Sequence, residues 1–182
     1  LINYFFQYEK NDIKKGGDLV TDEFYTVRGY ELRREGKDMM TPALEDYLEM
    51  IYRNSMNEDY IRINILAKLL NVKDSSASKM VKKLGELKLV NYERYGIVTL
   101  TDEGKKLGEF LLNRHNVIEN FLSLIGCKED ILLQAELIEH TITPDTVNNI
   151  KILNIFFEKN KDVLEKYTNY KRDIIESSLR LK

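Results

Sequence analysis

The stretch RINILAKLLNVKDSSASKMVKKLGELKLVNYERYGIVTLT, residues 62–101, decides the fold. Residues 62–71 place apolar side chains at helical spacing, and Asn71-Val72-Lys73 interrupts them. Asp74 is a good N-cap for a second helix over 75–88, with Ala77, Met80, Val81 and Leu84 facing inward. From Val90 the period changes from helical to alternating. Val90, Tyr92, Ile97 and Thr99 flank Arg94-Tyr95-Gly96, which predicts a β-hairpin over 90–101 supported by Tyr92 and Tyr95. Two helices joined by a tight turn and followed by a hairpin make a winged helix-turn-helix.

Working outward, residues 42–55 predict a preceding helix. Thr41 can cap it, Pro42 suits its first position, and Leu44, Tyr47, Leu48, Ile51 and Tyr52 form one apolar stripe. After the hairpin, Thr101 caps a long helix running to about Ile125, where Gly126 stops it. Further helices are predicted over 129–140, from Thr143-Pro144-Asp145 to about Glu158, and over 161–181, the last with Val163, Leu164, Tyr167, Tyr170, Ile174 and Ile175 on one side. The expected fold is mainly α: a winged helix-turn-helix over 41–106 and a helical domain over 107–182, behind an extension of residues 1–40.

Composition agrees. Across 182 residues, 43% are hydrophobic and 32% charged with mixed sign, so the chain can form a core and is not of disordered type. Two prolines and nine glycines suit a helical protein. The single cysteine, Cys127, excludes an internal disulfide framework and a cysteine-rich zinc site, and reads as a small packing residue. No apolar run reaches membrane-spanning length, and residues 1–8 lack the flanks of a signal peptide, so a cytoplasmic location is expected. Lys15-Gly16-Gly17-Asp18 is what a purine-rich ribosome-binding site would encode, with Val20 shortly after it. Residues 1–19 are therefore expected to be read-through of a leader, the plainer alternative being an ordinary tail.

Net charge is only −2, but it is unevenly spread. Residues 61–94 hold eight Lys and Arg against three Asp and Glu, whereas residues 41–60 hold one against five. Adjacent basic and acidic blocks imply one anionic and one cationic partner. On the second helix of the pair, Ser75, Ser76, Ser78, Lys79 and Lys82 face outward: short hydroxyls allow close approach to base edges, and lysines meet phosphates. Arg94 at the wing tip can reach the backbone or minor groove of double-stranded DNA.

The cationic partner is indicated by a second pattern. Asp46 and Glu49 are three apart on the first helix; Glu136, Glu139 and His140 stand at i, i+3 and i+4 on another; His115 lies in the long helix between them. Both histidines of the chain fall in this set. If these groups converge, their carboxylates repel unless a cation offsets them. An oxygen and nitrogen donor set without thiolate favours Mn²⁺ over Zn²⁺ or Cu⁺, with Fe²⁺ still open. Spacing alone leaves the alternative that they are surface charges of amphipathic helices.

TPALEDYLEMIY (41–52), AKLL through SSASKMVKKL (67–84), LTDEGKK (100–106), RHNVIENFL (114–122) and AELIEH (135–140) together resemble the diphtheria-toxin-repressor family, and within it the manganese transport regulators. The resemblance covers about residues 41–158. It implies a winged helix-turn-helix followed by a helical dimerisation and metal-binding domain, and metal roles for Asp46, Glu49, His115, Glu136, Glu139 and His140. Iron-type relatives carry Met and Cys at the positions of Asp46 and Glu136; carboxylates at both imply the manganese type and a pair of ions per subunit. The implied protein is a homodimeric repressor of metal-uptake genes, not an enzyme, that binds operator DNA when metal shifts its conformational population. The alternatives are an iron-responsive regulator of the same family, a winged-helix regulator with a non-metal ligand and, further off, a dinuclear metalloenzyme.

Overall fold

A computed structural model describes residues 40–180, and the expectation for residues 1–19 lies outside them. The chain forms two compact units that divide between Glu109 and Phe110. Their elements are α1 (Pro42–Ser55), β1 (Ile61–Arg62), α2 (Ile63–Leu69), α3 (Asp74–Glu86), β2 (Val90–Tyr92), β3 (Ile97–Leu100), α4 (Asp102–Leu124), α5 (Ile131–Glu139), α6 (Pro144–Lys159) and α7 (Lys161–Arg180).

The first, winged unit is built on α1. Its N-terminus forms as expected: Thr41 Oγ1 accepts from the Leu44 N–H at 3.3 Å and Pro42 occupies the first turn. Leu44, Tyr47, Leu48 and Ile51 are buried, joined by Leu66 and Ala67 of α2, Ala77, Val81 and Leu84 of α3, and Val98 of β3. Each such Leu or Ile contributes about 1.5–3 kcal/mol by leaving water. Burial raises the Tyr47 phenol above its usual pKa; for Tyr52 burial does so first and the Glu109 charge second. Both rings therefore stay neutral and suit the apolar stripe.

α2 ends in a Schellman cap. Asn71 takes a left-handed φ of 53°, the Val72 N–H donates to Ala67 O at 2.9 Å, and the Asn71 N–H to Lys68 O at 3.2 Å. This is the turn that the broken periodicity predicted. α3 begins one residue earlier than expected. Asp74 is its first helical residue and makes no side-chain cap; its carboxylate instead faces the positive end of the helix dipole from within the first turn. α3 closes with the same motif as α2, Lys88 standing at φ 60° and the Leu89 N–H donating to Leu84 O.

The wing is a three-stranded antiparallel sheet in the order β1-β3-β2. β2 and β3 pair as Val90 with Leu100, Asn91 with Thr99 and Tyr92 with Val98, and Arg94–Gly96 forms a 3₁₀ turn between them. The third strand, β1, was not predicted; Ile61 pairs with Val98 and Arg62 with Ile97. The expectation that Tyr95 supports the hairpin is corrected. It has φ 65° and is 90% exposed, because the turn lifts it off the sheet. Tyr92 is itself only partly covered.

The start of α4 is locked to the end of α3. Thr101 Oγ1 lies 2.8 Å from Lys88 O and 3.1 Å from Leu89 O, and accepts from the Gly104 N–H at 3.0 Å. Backbone passes so close to Gly104 that a Cβ there would sit 1.9 Å from Leu89 O. Gly108 is similarly confined, its Cβ position lying 2.6 Å from Cβ of Tyr52.

The second, helical unit is knit by side chains reaching backbone. Asn154 of α6 is buried and donates to Val117 O of α4 at 2.9 Å. Gly126, at φ 77°, ends α4 as predicted. Lys171 of α7 then donates from Nζ to Ile125 O (2.6 Å) and Gly126 O (3.0 Å). Ile118, Leu122 and Ala135 form a small core, against which Cys127 packs with Phe121, Ile131 and Ile138. Cys127 thus has the packing role expected of it. Among the described residues no helix is long and apolar enough to cross a membrane.

Candidate DNA-reading surface and metal centre

In the winged unit, α3 turns Ala77, Val81 and Leu84 inward and leaves Ser75, Ser76, Lys79 and Lys82 exposed. Ser78 is half-buried at the edge of that face. Lys83 is also exposed there and was overlooked, although it stands four residues after Lys79. Arg94 opens the wing turn. The helix thus shows hydroxyls at its N-terminal end and ammonium groups along its length, suited to base edges and phosphates respectively.

α1 carries Asp46, half-buried, and Glu49, buried. Glu49 is held from within its own helix: Arg53 donates to Oε1 from Nε at 2.9 Å and from Nη2 at 2.7 Å.

In the helical unit, the four remaining candidates come together. His115 of α4 is 2% exposed, and its Nδ1 lies 2.9 Å from Glu139 Oε2. A carboxylate only accepts, so a hydrogen bond here takes a proton from Nδ1; the ring's other nitrogen is Nε2. Glu119 Oε2 is 3.8 Å from that nitrogen, and Glu136 Oε1 is 3.9 Å from Nδ1. Glu136, Glu139 and His140 each offer a donor atom within 4.8 Å of the others. The i, i+3, i+4 spacing explains why: the last turn of α5 and its C-cap residue, His140, present all three on one side. Glu139 is 1% exposed, yet Glu136 reaches solvent. Burying a carboxylate is costly unless charge and hydrogen bonds offset it. This donor set fits a hard divalent ion. A further residue escaped the sequence reading. Arg114, buried beside His115 in sequence, places Nη2 3.8 Å from Glu139 Oε1 and 3.4 Å from His140 Nδ1. The signal for it was its place three residues after Leu111 and four before Ile118, on the buried stripe of α4.

A winged helix-turn-helix together with a carboxylate and imidazole cluster defines a class: metal-dependent transcriptional regulators. Residues 39–98 match the iron dependent repressor N-terminal DNA binding domain, and residues 101–168 match the iron dependent repressor metal binding and dimerisation domain. The chain belongs to the iron-dependent repressor family. It is 40% identical over 129 residues to the HTH-type transcriptional regulator MntR of Lysinibacillus sphaericus, covering 70% of this chain and 93% of that one. To the regulator of the same name from Geobacillus thermodenitrificans it is 37% identical over 135 residues, 74% of this chain and 96% of the other. Among solved structures it is similar to a manganese-dependent transcriptional repressor in complex with manganese, with TM-score 0.57 and 30% identity. That match covers 62% of this chain and 53% of the other, so the chain spans about half the length of that solved protein.

Proposed function

We propose that this chain is a manganese-responsive repressor of metal-uptake genes, working as a cytoplasmic homodimer, and is not an enzyme. The observation that carries the reading is the cluster in the helical unit, where buried Glu139 meets His115, Glu136 and His140. The ligands in this reading are Asp46, Glu49, His115, Glu136, Glu139 and His140, enough donors for two ions. When bound, Mn²⁺ supplies the positive charge that offsets these carboxylates. Two similar proteins bear the name MntR, and the similar solved repressor was described as manganese-dependent. Carboxylates at Asp46 and Glu136 favour Mn²⁺; Fe²⁺ is the alternative ion, since donor hardness alone separates the two poorly.

The chain's own groups divide the work. Ser75, Ser76, Ser78, Lys79, Lys82 and Arg94 contact operator DNA. His115 keeps Nδ1 2.9 Å from Glu139 Oε2, which holds the ring beside the carboxylates. Metal occupancy is linked thermodynamically to the conformational population that binds DNA, a coupling of about 1–3 kcal/mol. Exposed Leu132, Leu133 and Leu137 of α5 and Ile152 and Phe156 of α6 support pairing of two copies through the helical unit.

A DNA-binding titration with and without Mn²⁺, Fe²⁺ and Zn²⁺ tests the reading. Mn²⁺ is expected to tighten operator binding by about 5–150-fold, the range of such couplings, and His140→Ala to abolish that gain. Equal affinity in all conditions would leave a winged-helix regulator with another ligand, and metal-dependent turnover would revive the enzyme reading.

A further inference from the structure

Resting on the DNA reading above, we infer that Tyr95, at the tip of the wing, packs its ring on the sugars of the duplex backbone. Two observations carry this. Tyr95 holds a left-handed backbone, φ 65° and ψ 20°, which a residue with a bulky side chain rarely adopts. It is also 90% exposed, more than any other large hydrophobic residue among those described. Folding rewards neither. The left-handed conformation costs stability, and a ring left in water returns none of it by burial. The turn closes without the ring, through the Glu93 N–H donating to Ile97 O at 2.9 Å, with Gly96 following at φ 72°. Glycine or asparagine at position 95 would make the same turn with less strain.

The other left-handed residues sharpen the contrast. Asn71, Lys88 and Asp130 also have positive φ, and their polar side chains suit water; among the described non-glycine residues of this kind, Tyr95 alone carries a ring. Its place names the partner. α3 leads directly into β2, so the wing is tied to the helix that exposes Ser75, Ser76, Lys79 and Lys82. At the tip itself, Glu93 and Arg94 have opposite charges, so attraction to phosphate is weak there. A ring packed on deoxyribose, with its hydroxyl donating to a phosphate oxygen, suits such a tip. The contact reads no bases. It makes Tyr95 a positioning residue that seats the winged unit on the duplex.

Fluorescence anisotropy with the full chain, Mn²⁺ and a dye-labelled duplex of mixed sequence tests this. Tyr95→Gly is expected to weaken binding about tenfold, the scale of one buried ring lost. The same variant is expected to raise the thermal midpoint by about 2–4 °C as the strain is relieved. Lost affinity together with gained stability is what a purely structural ring cannot give. Unchanged affinity, or a midpoint that fails to rise, overturns the proposal. Tyr95→Asn, which also tolerates the left-handed region, is expected to bind as weakly as Tyr95→Gly. Wild-type affinity in Tyr95→Asn would mean that glycine had merely loosened the wing, and overturns the proposal. Tyr95→Phe keeps the ring and is expected to stay within about threefold of wild type; a drop to the glycine level overturns the ring contact. The loss in Tyr95→Gly is expected to be equal at low and high salt, whereas Lys79→Ala lowers the salt slope by about one. A Tyr95→Gly loss that vanishes as salt rises overturns the packing contact. A wild-type chain that binds no duplex is a different result: it removes the DNA reading itself.

Discussion

The winged unit buries sixteen hydrophobic residues and exposes seven large ones, whereas the helical unit buries six and exposes ten, counted among the described residues. One unit satisfies its own core; the other leaves Leu132, Leu133, Leu137, Ile152, Phe156, Tyr170 and Ile174 facing outward. Hydrophobic burial scales with area removed from water, so the winged unit draws more of its stability from its own core. The helical unit keeps a large share of its apolar surface for association. Specific hydrogen bonds, such as Asn154 to Val117 O, hold it in shape meanwhile.

Three substitutions bear on this contrast, in decreasing order of effect. Gly104→Ala attacks the self-sufficient unit at its tightest backbone contact, where the new Cβ would lie 1.9 Å from Leu89 O. A loss of about 3 kcal/mol or more is expected in chemical denaturation, because backbone must move to relieve the clash. A loss below about 1 kcal/mol would mean that α4 shifts freely against the wing. Leu137→Glu, on the incompletely covered unit, is expected to weaken self-association by about 2 kcal/mol or more in sedimentation equilibrium. The matched change Leu69→Glu in the winged unit, at a residue 51% exposed against 67% for Leu137, is expected to leave association unchanged; equal effects would dissolve the comparison. Lys88→Gly relieves a left-handed residue at the end of α3 and is expected to stabilise the winged unit by about 0.5–1 kcal/mol in the same denaturation experiment.

Most of the winged unit was legible because its signals are local. Periodicity placed the helices, Thr41 and Thr101 marked two helix starts, and the switch to alternation marked the hairpin. β1 was missed because a two-residue strand has no period; only pairing with Val98 and Ile97 creates it. The left-handed Lys88 was missed because its type gives no cue, unlike Gly126. Tyr95 was misjudged because an aromatic in a hairpin usually packs, and the positive φ that exposes it depends on the turn geometry. In the helical unit, the spacing of Glu136, Glu139 and His140 was readable as one helix face. That Glu139 is buried against His115, with Arg114 beside it, depends on how α4 and α5 pack, which sequence spacing does not encode.

The Lys171 clamp on the end of α4 bears on folding kinetics. Its two bonds join residues 46 and 45 apart in sequence. Such a contact is reached only after the intervening chain has been ordered, so it arrives late and contributes little to the transition state. A late interaction slows unfolding without hastening folding. Lys171→Met is accordingly expected to raise the unfolding rate in stopped-flow measurements while the refolding rate stays put. Lys171 lies beyond residue 168, where the family match ends, while its two acceptors lie within the match. A residue outside the matched region thus adds resistance to unfolding to the architecture inside it.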